Sequence, residues 1–169
     1  MGQNERAQAD FSRAIELDPR SADARARRGE SFELAGDFEH AMQEYDAAIG
    51  IDPGDPRAYF FRGRIFIRQR QFARALADLD EALRLEPRDA KAHQSRAAVL
   101  AATGEHARAI EDYSAAIRLN PQYALAYQGR GDAYARSAEP GHALADYTDA
   151  CRLHQHNTSP YYHRMLGEP

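Results

Sequence analysis

Residues 28–53 read RGESFELAGDFEHAMQEYDAAIGIDP, and this stretch decides the fold. It holds two segments with apolar and small residues at helical spacing, divided by a glycine turn, and a proline stops the second segment. Prolines in the same place recur along the chain at a constant interval of 34 residues, at Pro19, Pro53, Pro87 and Pro121. A constant period of this length predicts an array of helical hairpins rather than one unrelated helical bundle.

Small residues recur with the same period on both helices of each predicted hairpin. In the second helix they form two alanine columns, Ala7, Ala41, Ala75, Ala109 and Ala143, and Ala14, Ala48, Ala82, Ala116 and Ala150. In the first helix the column is Gly29, Gly63, Ala97 and Gly131. Between the alanine columns runs a column of large residues, Phe11, Tyr45, Leu79, Tyr113 and Tyr147. Small side chains let helices cross closely, so these columns predict hairpins that nest against one another.

In period, small residues, aromatic residues and closing proline, this stretch closely resembles the tetratricopeptide repeat family, and the resemblance covers nearly the whole chain. The resemblance implies an all-α fold, a right-handed superhelical solenoid of antiparallel helix pairs, with about nine full helices and a short C-terminal helix. The turns and prolines predict helices near 4–17, 21–35, 38–51, 56–69, 72–85, 90–102, 106–119, 124–137, 141–153 and 159–167. Pro140 is expected to begin the last of the long helices.

The repeat boundaries predict one continuous array over residues 1–169. Full repeats are expected at 20–53, 54–87, 88–121 and 122–157, with 1–19 a half repeat that supplies only a second helix and 158–169 a partial first helix. Both ends are then incomplete and carry apolar residues instead of polar caps. This predicts self-association, in which the ends of two chains meet head-to-tail or exchange a terminal helix.

Two charged columns accompany the small ones. Arginine recurs in the first helix of each hairpin and an acid in the second, at Arg28, Arg62, Arg96, Arg130 and Arg164 and at Asp10, Glu44, Asp78, Asp112 and Asp146. Because both columns adjoin the packing stripe, we expect them to form bidentate ion pairs that hold the stacking register. Pairing each acid with the arginine of the following hairpin gives every acid a partner, so we favour Asp10 with Arg28 and so on along the chain. Pairing within a hairpin is the alternative and leaves Asp10 and Arg164 single.

Composition excludes several classes of function. The chain has no apolar run long enough to span a bilayer and no apolar leader, so a cytoplasmic location is the default expectation. No nucleophile elbow, zinc-protease, P-loop or dinucleotide motif appears, and we predict no catalysis, cofactor or metal. His154, His156 and His163 are interpreted as solvated, and the single cysteine, Cys151, as a buried packing residue.

The family resemblance places function on the concave face lined by the first helices, where a peptide or a partner's helix would bind. The first helices carry net positive charge and the second helices net negative charge. The residues predicted to contact a partner are Arg27, Arg57, Phe60, Arg64, Ile67, Arg68, Lys91, Gln94 and Gln128. Cations around Phe60 and Ile67 favour an acidic segment with one apolar anchor.

Two other interpretations of that face remain open. It is either a solvated helix surface on which Phe60 or Phe61 simply packs, or a basic surface for RNA, although aromatic platforms for bases are few there and the chain carries a net charge of −4. A protein or peptide partner of unknown identity is favoured over nucleic acid, and no contact with a membrane is expected.

Overall fold

The computed structural model describes residues 3–157, and the side chains of residues 6–153. That part of the chain is all-α, as predicted, and contains no strand. Its helices are α1 (Gln3–Leu17), α2 (Ala22–Leu34), α3 (Phe38–Ile51), α4 (Pro56–Arg68), α5 (Phe72–Leu85), α6 (Ala90–Ala102), α7 (His106–Leu119), α8 (Ala124–Arg136) and α9 (Pro140–Asn157). The predicted start of the last of these at Pro140 is confirmed.

Short polar side chains begin the helices that open most hairpins. Ser21, Asp55 and Asp89 each accept a hydrogen bond from a backbone N–H in the first turn of the helix that follows, which satisfies a donor that the helix itself leaves free. Inside the hairpins the turn needs a residue at positive φ, which glycine supplies at Gly36 (φ 80°) and Gly104 (φ 87°) without a steric cost.

The chain divides into two compact units, Met1–Pro87 and Arg88–Pro169. In the first unit α2 pairs with α3 and α4 with α5, while α1 packs on α2 and α3 on α4. In the second unit α6 pairs with α7 and α8 with α9, and α7 packs on α8. Within each unit, therefore, every hairpin packs its second helix against the first helix of the next.

The small-residue columns lie at the helix crossings. Ala41 and Ala75 are fully buried, and Tyr45, also fully buried, fills the space between α2 and α4 against Ile65. Its ring lies directly on α2 at Gly29, where a Cβ atom would come within 2.7 Å of Cε1. The predicted nesting of helices is therefore observed within each unit, and Gly29 is small because Tyr45 occupies the place of a side chain.

The charged columns form ion pairs inside each hairpin, so the favoured pairing with the following hairpin is wrong. Arg62 holds Asp78 through Nε and Nη2 at 2.8 and 2.7 Å, and Arg130 holds Asp146 at the same two distances. Arg96 grips Asp112 likewise, at 2.6 and 2.7 Å.

The favoured pairing was wrong because of the side of the second helix on which the acid lies. The acid lies next to the large column residue that packs into its own hairpin, so it faces its own first helix. The residue two positions later points about 200° away, toward the next hairpin. The third arginine nitrogen, Nη1, reaches that later residue in the preceding hairpin: Arg28 donates to Ser12 (3.1 Å), Arg62 to Asp46 (2.6 Å) and Arg130 to Ser114 (3.0 Å). Each of these arginines thus joins two neighbouring hairpins.

The Arg96–Asp112 pair predicts a loss of stability in acid. Burial alone would raise the pKa of Asp112, but the hydrogen bonds from Arg96 and His93 outweigh it and lower the pKa from its ordinary value of 3.8. A carboxyl group whose pKa is lower in the folded than in the unfolded chain stabilises the fold above its unfolded pKa and loses that effect as the pH falls. Stability should therefore decline below about pH 4.

Urea denaturation of the wild type and of Asp112→Asn checks this dependence. Between about pH 6 and about pH 3 the wild type should lose more free energy of unfolding than the variant, which has no carboxyl group to protonate at this position. Parallel losses in the two proteins would contradict the assignment.

The structure contradicts the prediction for Cys151, and several other predictions concern residues outside the described part of the chain. Cys151 is exposed rather than buried, because no described residue after α9 covers the side on which the equivalent Leu83 is buried. The C-terminal helix near 159–167, Arg164, and the side chains of His154, His156 and His163 lie outside the described residues. The predicted self-association through the chain ends therefore stays a prediction.

Candidate functional site

In the first unit the predicted contact residues lie on facing sides of α2 and α4, a surface that we call the α2–α4 face. Three of its cations, Arg27, Arg57 and Arg64, are paired with acids. Arg57 Nη2 lies 2.8 Å from Asp23 Oδ1 and 2.7 Å from Asp55 Oδ2, and Arg27 Nε donates to Asp23 at 2.8 Å. These hydrogen bonds outweigh the partial burial of Asp23 and lower its pKa, and they raise the pKa of Arg57. Sequence reasoning counted the arginines and missed the acids that pair with them.

A second ion pair lies about two helical turns farther along α4. Arg64 Nη2 lies 3.0 Å from Glu33 Oε1, and the Tyr45 hydroxyl donates to Glu33 Oε2 at 3.3 Å. Burial and the charge of Glu33 raise the pKa of Tyr45, which keeps its proton for this bond. The Glu33 side chain is 7% exposed, whereas 45% of Arg64 remains exposed. Glu33 therefore fixes Arg64 in place and leaves nearly half of the arginine side chain exposed to solvent.

The apolar residues predicted for this face are less accessible than expected. Phe60 is only 9% exposed and packs edge-on against Phe61, with ring centroids 5.3 Å apart. Ile67 is half-buried, and the exposed Arg68 lies with its guanidinium carbon 5.0 Å from the centre of the Phe38 ring. A partner could touch the rim of Phe60 but could not enclose the ring.

The remaining predicted residues lie in the second unit. Lys91 and Gln128 are exposed on α6 and α8, and the amide oxygen of the half-buried Gln94 accepts a hydrogen bond from the Tyr123 hydroxyl at 3.2 Å. The structure thus places the nine predicted residues on two surfaces, one in each unit, and the second surface carries few charges.

The second unit also holds a cavity of 640 Å³ that sequence reasoning did not identify. It is lined by residues of α6, α7, α8 and α9: Ala101, Ala102, Tyr113, Gly129, Asp132, Ala135, Arg136 and Tyr147. The Tyr147 hydroxyl donates to Asp132 Oδ1 at 2.8 Å. One signal in the sequence was available, because Gly129 stands where the other hairpins have Arg27, Phe61 and Ser95.

None of the helices in residues 3–157 combines the length and the apolar character that crossing a bilayer requires. No curated protein sequence matches the chain.

Solved structures share the fold over most of their length. A structure of MamA superposes with a TM-score of 0.80 at 20% sequence identity, over 93% of this chain and 97% of that one. PilF of Pseudomonas aeruginosa gives 0.83 at 25% identity, over 90% and 69%. YrrB, described as a TPR protein with an unusual peptide-binding site, gives 0.74 at 24% identity, over 89% and 78%.

A family model described as tetratricopeptide repeat matches residues 1–56, 62–124 and 103–160. These matches cover nearly all of the described hairpins, and they agree with the 34-residue period, the alanine columns and the helix pairs. The fold is that of a scaffold for protein–protein interaction. The chain belongs to the tetratricopeptide repeat family.

Proposed function

We propose that the chain is a non-catalytic interaction module that binds a peptide or a partner's helix on the α2–α4 face. The observation that carries the proposal is the row of three exposed arginines on one side of α4, namely Arg57, Arg64 and Arg68. Asp23 and Glu33 restrain two of them, so little side-chain entropy remains to be lost on binding. The peptide-binding site described for YrrB, which has the same fold, also supports this function.

Acidic residues of the partner would contact the exposed sides of these guanidinium groups, and an apolar residue would lie against Ile67 and the rim of Phe60. Since Asp23 and Glu33 already neutralise part of the charge, this surface attracts an acid less strongly than free cations would. We therefore expect moderate affinity and a shallow dependence on salt.

Selection of peptides from a random displayed library against the full chain, followed by measurement of dissociation constants, tests the proposal. Arg64→Glu should weaken the selected peptide at least about tenfold, because it places a like charge beside both Glu33 and the partner's acid. The matched control is Arg84→Glu on α5, where an exposed arginine pairs, among the residues that the structure describes, only with Glu81 in the preceding turn of the same helix. It should change affinity by less than about twofold.

Arg64→Gln removes the charge without adding repulsion and guards against a general loss of folding, which thermal denaturation would also reveal. Equal effects of the variants on α4 and α5, or selection of basic peptides only, would overturn the proposal.

A further inference from the structure

The cavity in the second unit contains a polar group that the fold does not use. The Tyr113 side chain is 96% buried by its surroundings, since only 4% of the residue is exposed. Its ring extends past α8 at Gly129, where a Cβ atom would lie 2.4 Å from Cζ and 2.5 Å from the hydroxyl oxygen. Glycine at this position therefore lets the hydroxyl reach the wall of the cavity, which Tyr113 and Gly129 both line.

Among the residues that the structure describes, nothing accepts a hydrogen bond from the Tyr113 hydroxyl or donates one to it, and the hydroxyl opens into the cavity instead of being sealed in the core. The equivalent tyrosines differ, because Tyr45 bonds to Glu33 and Tyr147 to Asp132. Burial and the nearby charge of Asp132 raise the pKa of Tyr113 to about 12. The group thus keeps its proton and is able both to donate and to accept a hydrogen bond.

The charged groups that line the cavity are one acid, Asp132, and one arginine, Arg136. Asp132 offers acceptor oxygens, one of which already takes the Tyr147 hydroxyl. Arg136 offers donors, and no ion pair or hydrogen bond engages it within residues 6–153. The lining carries one charge of each sign. An anion would be attracted by Arg136 but repelled by Asp132, and a cation would be attracted by Asp132 but repelled by Arg136.

The small side chains of the wall decide how closely a ligand can approach. Ala101, Ala102 and Ala135 contribute only methyl groups, and Gly129 contributes none. A volume of 640 Å³ exceeds that of a single side chain and leaves room for a short stretch of a partner's backbone.

The geometry points to a binding site for an uncharged amide of a partner protein, supplied by its main chain or by an asparagine or glutamine side chain. An amide N–H donates to Asp132 while the amide oxygen accepts from Tyr113 and Arg136, so both charges and the free hydroxyl are satisfied together. This site is distinct from the α2–α4 face and uses none of the α4 arginines, so either proposal can fail alone.

Titrations followed by NMR test the site with small capped amino acids added to the full chain. N-acetylglycine methylamide presents main-chain amides only, and N-acetylglutamine methylamide adds a carboxamide. The glutamate and lysine analogues supply matched charged groups. We expect saturable shifts of the Gly129 and Ala135 backbone signals, with the best amide binding at least about tenfold more tightly than either charged analogue. Equal binding of the glycine and glutamine compounds identifies the main chain as the source, and a preference for glutamine identifies the side chain.

Tyr113→Phe is the decisive variant, because it deletes only the unpartnered hydroxyl. The unfolding midpoint should stay unchanged while amide binding weakens about tenfold. Tyr45→Phe, which removes a hydroxyl of the same kind in the first unit, should leave amide binding intact. Tightest binding of the lysine or glutamate compound, unchanged binding by Tyr113→Phe, or the lack of any saturable shift would overturn the inference.

Discussion

Replacing Arg130 by alanine is expected to lower the free energy of unfolding by about 3 kcal/mol. The substitution leaves Asp146, which is 4% exposed, as a buried carboxylate without the guanidinium group that neutralises it. It also removes the bond to Ser114 in the preceding hairpin. Urea denaturation followed by circular dichroism measures the loss.

The control for this effect is Arg118→Ala on α7, an exposed arginine of the same unit. It should cost less than about 0.5 kcal/mol, as surface substitutions usually do. The double variant Arg130→Met, Asp146→Leu should recover much of the loss, because it removes both charges and fills the space with apolar atoms. Equal small losses for Arg130→Ala and Arg118→Ala would show that the column is ordinary surface charge.

The same substitution at two glycines is expected to act with opposite signs. Gly29→Ala should destabilise the fold by about 2 kcal/mol, because the new methyl group would lie 2.7 Å from Tyr45 Cε1 and 3.1 Å from Cζ. The ring cannot easily move, since it is fully buried and stacks on Phe61 at 5.8 Å. Gly50→Ala on α3 meets nothing within 4 Å and should stabilise by about 0.5–1 kcal/mol through helix propensity.

Thermal or urea denaturation of the two variants decides between close packing and simple backbone preference. If both substitutions stabilised the chain, the glycine column would reflect something other than the contact between α2 and Tyr45.

The helices and their pairing could be predicted because they depend on local signals that repeat. The prolines mark helix ends, the N-cap aspartates mark helix starts, and the alanine columns mark helix crossings. Each signal recurs every 34 residues, so a helix boundary that is unclear in one hairpin can be placed from the others. The pairing of the charged columns was harder to predict. Spacing alone allows Arg28 to meet either Asp10 or Glu44, and the choice depends on which side of the second helix faces its own hairpin.

The candidate site was also harder to predict from the sequence, because its contacts depend on how the helices pack. The row of arginines on α4 was visible, but two of the acids that pair with them, Asp23 and Glu33, lie on α2 and come into contact only through packing. Tyr113 shares its column with core residues, and its hydroxyl reaches the cavity only because position 129 is glycine, where the other hairpins have three different residues. Such a site arises where one hairpin departs from the repeat; alignment at the 34-residue period shows the departure at Gly129, but the cavity follows only from the packing.

The third nitrogen of the arginine column has a consequence for how such chains can grow. Its acceptor in the preceding hairpin is a serine hydroxyl in two places and an aspartate in the third, so this junction tolerates different neighbours. The acid that pairs with the arginine, through Nη2 at Arg28 and through both Nε and Nη2 at Arg62 and Arg130, lies in the same hairpin as its arginine. A gene segment that encodes one complete hairpin therefore contains both partners of the ion pair, whereas a segment that ends between the arginine and its acid would separate them.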